Sequence, residues 1–90
     1  MNFINHTEMA SFCEGFAKTE VTSLTSNDTT TTVIYGGTPR LTDPSSSTDS
    51  RDVWRIRRTV IVENGTTTNV TVTWAEGSWT NRASLTYKYL

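Results

Sequence analysis

Few residues of this chain have the types and spacing that chemistry requires. Nucleophilic catalysis by serine or cysteine needs an activating base, and His6 is the only imidazole. Cys13 is the only cysteine and falls on an apolar stripe, where a thiol packs as an inert hydrophobe. One histidine and one cysteine also exclude a Cys/His zinc site and an intrachain disulfide. Glu63 and Glu76 flank a strand and could be imagined as a glycosidase pair, but carboxylates at turns are commonly just solvated. Gly36-Gly37 is followed by no GK[ST] or GxGxxG pattern and so is no phosphate loop. Asp43, Asp49 and Asp52 are too spread for a calcium loop. The expectation is a protein that is not an enzyme and holds no cofactor or metal.

One charge cluster remains: Arg51, Arg55, Arg57 and Arg58, with Trp54 interleaved and Arg82 further on. Alternating basic and aromatic residues on a sheet are how single-strand nucleic-acid binders combine phosphate contact with stacking. Arg55 and Arg57 share a face in a strand, as that use requires. Against it, eight basic and nine acidic residues leave a net charge of −1, which gives no long-range attraction to a polyanion. The competing use of the cluster is an ion-pairing face, solvated or between subunits. Arg58 falls on the apolar side by alternation, which suggests a bulge or a salt bridge to a neighbouring chain.

The elements that hold these residues can be read from periodicity. Asn5 is placed as a helix N-cap with Glu8 completing a capping box, and Ile4 and Met9 as a hydrophobic staple. Met9, Phe12, Cys13, Phe16 and Ala17 then form one apolar stripe, which predicts a helix over residues 6–18. The stripe packs on the domain's own sheet or is offered to a groove on another protein. Residues 19–32 contain Val21 and Leu24 as their only large apolar side chains and read as an extended, partly paired or exposed stretch. Val33-Ile34-Tyr35 reads as a short strand stopped by Gly36-Gly37. Residues 38–52, with Pro39, Pro44 and Ser45-Ser46-Ser47, form a long polar loop, either mobile or ordered by a neighbouring subunit.

From Val53 the chain reads as a β-meander. Trp54, Ile56, Val60 and Val62 alternate onto one face, with Arg55, Arg57 and Thr59 on the other. Asn64-Gly65 marks a hairpin turn, and Val70, Val72 and Trp74 alternate on the returning strand. A two-residue Asn-Gly turn would set Val60 against Asn69 and place the two apolar rows on opposite sides of the sheet. Pairing Val60 with Val70 and Ile56 with Trp74 instead requires a G1 bulge or a longer loop through Thr66-Thr67, and that is the expectation. Residues 75–82 form a connection with room for one helical turn, and Leu85, Tyr87 and Tyr89 alternate as a terminal strand. The fold class is therefore α+β and mainly β: a single domain over residues 1–90, with a short N-terminal helix on an antiparallel sheet of three to four strands.

Composition limits how such a domain can be stabilised. Only 34% of the 90 residues are apolar, and at roughly 1.5 kcal/mol of conformational entropy per ordered residue so small a core barely offsets the cost of folding. Without disulfides or metal, self-association or docking is the remaining source of stability. The chain holds 19 Thr and 9 Ser, a composition that favours strands over helices. Four Asn-x-Thr sequons, at Asn5, Asn27, Asn64 and Asn69, follow from that richness in threonine. No run approaches the roughly 18 apolar residues of a membrane span, and residues 1–5 lack the features of a secretory signal, so synthesis in the cytoplasm is expected.

Asp52-Val53-Trp54-Arg55-Ile56-Arg57-Arg58, the hairpin ending Val72-Thr73-Trp74-Ala75-Glu76-Gly77, and Trp79-Thr80-Asn81-Arg82-Ala83-Ser84-Leu85-Thr86-Tyr87 together resemble small proteins encoded among the structural genes of tailed bacteriophages. These pair a D-x-W-x-I-x-R strand with a terminal W-x-[ND]-R-A-S-L-x-Y strand. The resemblance covers residues 52–90 and carries no catalytic residue. It implies a virion component, either a capsid decoration protein or a neck or tail subunit, made in the host cytoplasm and in contact with copies of itself or other virion proteins. Trp54, Trp74, Trp79, Arg82 and Tyr87 are then framework positions. Candidate contact residues between subunits are Arg51, Arg55, Arg57, Arg58, Pro44 and Asp49, together with one sheet edge that a neighbour's strand would cover. Two rival expectations are the single-stranded nucleic-acid binder above and an extracellular appendage or adhesion subunit, which the threonine content allows.

Overall fold

The computed structural model describes residues 15–40 and 48–89. They form one antiparallel sheet whose strands lie in chain order: β1 (Lys18–Ser26), β2 (Thr29–Pro39), β3 (Trp54–Asn64) and β4 (Thr67–Gly77). After β4 the chain makes a 3-10 turn at Arg82–Ser84 and returns to bridge Trp74 through Lys88. Threonine and other β-branched residues are frequent in all four strands and the majority in β2 and β4, in keeping with their χ1 stiffness and fit to a pleated surface.

The expected α+β class reduces here to its β part. Gly15 sits in a turn with φ +85° and Lys18 already begins β1. A helix over 6–18 therefore does not reach residues 15–18, which include Phe16 and Ala17 of the predicted stripe, while Met9, Phe12 and Cys13 lie outside the described residues. Phe16 nonetheless packs on the domain's own sheet, against Gly36.

Gly36-Gly37 does not stop β2, which runs on through both residues to Pro39. The glycines are there because rings lie against the backbone on either side. A Cβ on Gly36 would stand 2.7 Å from the Phe16 ring, and one on Gly37 2.7 Å from the Trp79 ring. Thr38 and Pro39 thus belong to the strand and not to the loop. Of that loop, residues 41–47 lie outside the described residues.

The β3–β4 hairpin also departs from expectation. Asn64 pairs with Thr67 around a two-residue turn, Gly65-Thr66, with Gly65 at φ +60°. This is the glycine placement of a type II′ turn, with neither a bulge nor a longer loop. Ile61 therefore faces Val70 and Arg57 faces Trp74. The two apolar rows do fall on opposite sides, because this sheet buries side chains on both faces. Trp54 and Ile56 are buried on the first, where Trp79 packs with them; Ile34, Ile61, Thr59, Thr32, Thr30 and Glu63 are buried on the second. An expectation of one wet face chose the wrong register.

The terminal strand is likewise absent. Only the Trp74–Lys88 bridge pairs there, because Leu85 and Tyr87 turn onto the first face and pack against the Trp54–Ile56–Trp79 cluster.

Overfilling this cluster tests the account. Gly37→Ala places a methyl 2.7 Å from Trp79 and 3.0 Å from Trp54, and a cost of about 1–3 kcal/mol is expected in urea unfolding. An unchanged unfolding midpoint would show that the rings do not rest on this backbone.

Candidate functional site

The structure brings together four of the five framework residues read from the sequence. Trp54 and Trp79 pack with ring centroids 5.8 Å apart and tilted by 46°. The Trp54 indole N–H donates to the carbonyl of Thr48 at 3.0 Å, which ties the β2–β3 connection to the core. Arg82 lies beside Trp79, its guanidinium 4.9 Å from that ring and 5.9 Å from the ring of Tyr35. Tyr87 donates its hydroxyl proton to the carbonyl of Arg82 at 2.8 Å and packs 6.2 Å from Tyr35. Trp74 stands apart, half-buried on the opposite face in the row of Gly36 and Arg57.

Arg82 is the hub of this cluster. Nε and Nη2 donate to the two carboxylate oxygens of Glu20 on β1, at 3.1 and 2.5 Å, and Nη1 donates to the carbonyl of Trp79 at 3.0 Å. One side chain thus binds the outermost strand to a segment that begins beyond the last one. The pairing holds Glu20 below the ordinary carboxylate value of 4.5, chiefly through the hydrogen bonds from Arg82, with burial working in the opposite sense. The same hydrogen bonds raise Arg82. Burial pushes the Tyr87 phenol up to about 12; Tyr35 adds to the rise, and Arg58 and Arg82 oppose it.

The arginines offered as inter-subunit contacts are distributed as alternation predicts, Arg55 and Arg57 on one face of β3 and Arg58 on the other. Arg58 does lie on the apolar side, but without a bulge: β3 keeps continuous register with both neighbours. Its guanidinium covers the Tyr87 ring at 4.2 Å instead of reaching outward, and its Nε is buried without a hydrogen bond among the described residues. Arg57 lies on the other face, 4.6 Å over the Phe16 ring. Arg55 is exposed on that face and pairs with Glu76 at 3.8 Å, where Arg40 joins at 3.2 Å. Asp49 is occupied by Lys18 at 2.6 Å, and its carbonyl accepts from the amide of Thr80. Arg51 is exposed in the connection, and Pro44 lies outside the described residues. The rings beside Arg57 and Arg58, Phe16 and Tyr87, are thus already covered within the chain, an arrangement unlike an open base-stacking platform.

Glu63 and Glu76 share a face of the hairpin but sit at opposite ends of it. Glu63 pairs with Thr68, eight residues along β4 from Glu76, or about 26 Å at ~3.3 Å per residue. The separation is far beyond the ~10 Å a glycosidase pair spans. Among the described residues no three His, Cys, Asp or Glu side chains converge; His6, Cys13 and Asp43 are not among them. A groove of about 880 Å³ runs between β4 and the returning tail, lined by Arg55, Trp74, Glu76, Leu85, Lys88 and Tyr89 among others.

The remaining feature is surface that periodicity did not single out. β1 is exposed along Val21–Ser26, with Leu24 at 70% and Val21 at 41%. On the first face Val33, Val60 and Val62 are only half-buried beyond the end of the tail. The low apolar content of residues 19–32 marks an extended, partly paired or exposed stretch in the sequence; the strand pairing shows β1 within it to be an edge.

Compared with protein-family models, curated proteins and solved structures, the chain has no match.

The Glu20–Arg82 fork makes stability depend on acid. A carboxylate depressed in the folded state contributes stability above its unfolded value, and loses it as pH falls through the folded one. Wild-type stability should therefore fall more steeply between about pH 5 and 3 than that of Glu20→Gln. The difference should stay under about 1 kcal/mol, because the Glu20 side chain is 41% exposed and solvent screens the pair. Arg82→Lys keeps the charge but loses the fork and the stacking, and should cost about 1–2 kcal/mol at neutral pH. Parallel pH profiles for wild type and Glu20→Gln would show that the fork does not hold the tail.

Proposed function

We propose that this chain is a non-enzymatic structural subunit of a tailed-phage particle, a capsid decoration, neck or tail component that acts through contacts between subunits. The observation that carries this reading is the division of the apolar surface. Trp54, Trp79, Tyr87, Arg58 and Arg82 are consumed in holding one thin sheet to its own tail, while the uncharged stretch Val21–Ser26 of the edge strand, bearing Leu24, faces solvent. A molecule built this way offers surface and hydrogen-bonding backbone to a neighbour. The phage-like pattern at residues 52–90 adds support, because Trp54, Trp79, Arg82 and Tyr87 gather in one packed cluster, as framework positions should.

Particles released from the host that carries this gene provide the test. After density-gradient purification and disruption, mass spectrometry should find the chain at many copies per particle, in constant ratio to the major shell or tail protein. Its presence in the cell lysate together with its absence from the purified particles would overturn the reading.

A further inference from the structure

We propose that β1 is a pairing edge for a second copy of this chain, which adds its own β1 antiparallel and joins two four-stranded sheets into one of eight strands. The inference rests on the assembly reading above and names the surface and partner that reading leaves open.

The two edges of the sheet are not equivalent. At β4 the tail returns, and Lys88 exchanges both backbone hydrogen bonds with Trp74, at 2.8 and 2.9 Å. At β1 no described residue pairs with the outer side of the strand, and Val21–Ser26 are exposed throughout. Soluble proteins blunt such an edge with lysine, proline, a bulge or a covering loop. Over Val21–Ser26 the segment holds no charge and no proline, all nine residues of the strand pair with β2 in unbroken register, and no loop among the described residues covers it. The charges that precede it are turned back on their own chain, Lys18 to Asp49 and Glu20 to Arg82.

A row of unpaired amides and carbonyls is satisfied by another strand, and geometry favours a copy of itself. Antiparallel pairing of identical strands has two-fold symmetry, so it closes at two subunits and leaves no growing end. An axis normal to the sheet keeps each face continuous across the join, which requires a residue to sit opposite its own counterpart. The register that pairs all nine residues of β1 puts Thr22 on the axis. Threonine opposite threonine is a favourable cross-strand pair, and no like charges meet there. The same register brings Leu24 of each copy into the row of the other copy's Glu20, beside the Arg82 cluster, and so covers the most exposed aliphatic side chain of the strand.

The experiment is light scattering on the full chain across a concentration series, with variants on the axis. Wild type should pass from monomer to dimer as concentration rises. Thr22→Lys sets two ammonium groups face to face and should weaken dimerisation at least about tenfold, and Thr22→Glu should do the same. Mixing the two should restore a one-to-one heterodimer. Circular dichroism of each variant checks that the exposed substitution leaves the fold intact. On the unsubstituted chain, amide exchange at Val21–Ser26 should slow with concentration, a readout that needs no variant. A wild-type monomer at every concentration, a dimer that persists in both charged variants, or β1 exchange indifferent to concentration would each overturn the pairing. Failure here leaves the particle reading to its own test, since a subunit can dock on other proteins without dimerising.

Discussion

The ion pair between Glu20 and Arg82 joins residues 62 positions apart and is the contact on which the rest of the molecule depends. A four-stranded sheet has two faces to cover, and the first is covered by a tail only about a dozen residues long. A segment so short cannot form a layer by itself; it has to be held at a distant point. The fork reaches from beyond β4 across to β1 and stretches the tail over the strands between. Trp79 then comes down on Gly37 and Trp54, and Tyr87 on Tyr35 and Arg58. Only arginine can serve at this position. Its planar fork matches a carboxylate at two points while its faces lie against aromatic rings, so one side chain fixes both the direction and the depth of the tail.

The second face explains the threonine content. Its buried row holds Thr59, Thr32 and Thr30 alongside Ile34 and Ile61. A threonine occupies nearly the volume of a valine but brings a hydroxyl that needs a partner. At the border with β1 the partners are other hydroxyls: Ser23 with Thr32 at 3.0 Å, and Thr25 with Thr30 at 2.9 Å. Deeper in, the Thr59 hydroxyl has no hydrogen-bond partner among the described residues, an uncompensated loss that a larger core would tolerate more easily. Hydroxyl pairs between β1 and β2 let the outer strand join the sheet without an apolar stripe of its own.

This is also why the sequence marks β1 only as part of an extended, partly paired or exposed stretch. Alternation of Trp54, Ile56, Val60 and Val62 located β3 and its faces, and the W-x-N-R-A-S-L-x-Y stretch located the residues of the hub. Those signals come from large apolar and aromatic side chains, whose burial dominates local free energy. β1 is carried by threonine and serine, whose pairing depends on which residues face them, and that is tertiary information. The hairpin register failed for a related reason: parity arguments need to know how many faces are dry, and a single strand does not say. Gly36-Gly37 resembled punctuation because the Trp79 and Phe16 rings that require them lie far along the chain or across the sheet. Arg58 lies on the apolar side because the Tyr87 ring, far along the chain, lies beneath it.

The two ends of the sheet differ in what happens to charge, and that difference sets what each can do. Around the tail, Arg58 and Arg82 are stacked and partly withdrawn from water, so their charge is spent on internal order and is little available to a polyelectrolyte. Around β4, Arg40, Arg55 and Glu76 remain at the surface as a loose cluster, which gives orientation to an encounter but little affinity. Along β1 no charge remains between Val21 and Ser26. A surface without charge cannot steer a partner from a distance, and recognition there depends on backbone complementarity and close fit. Such contacts form slowly at low concentration and persist where subunits are crowded side by side, the condition that a repeated lattice provides.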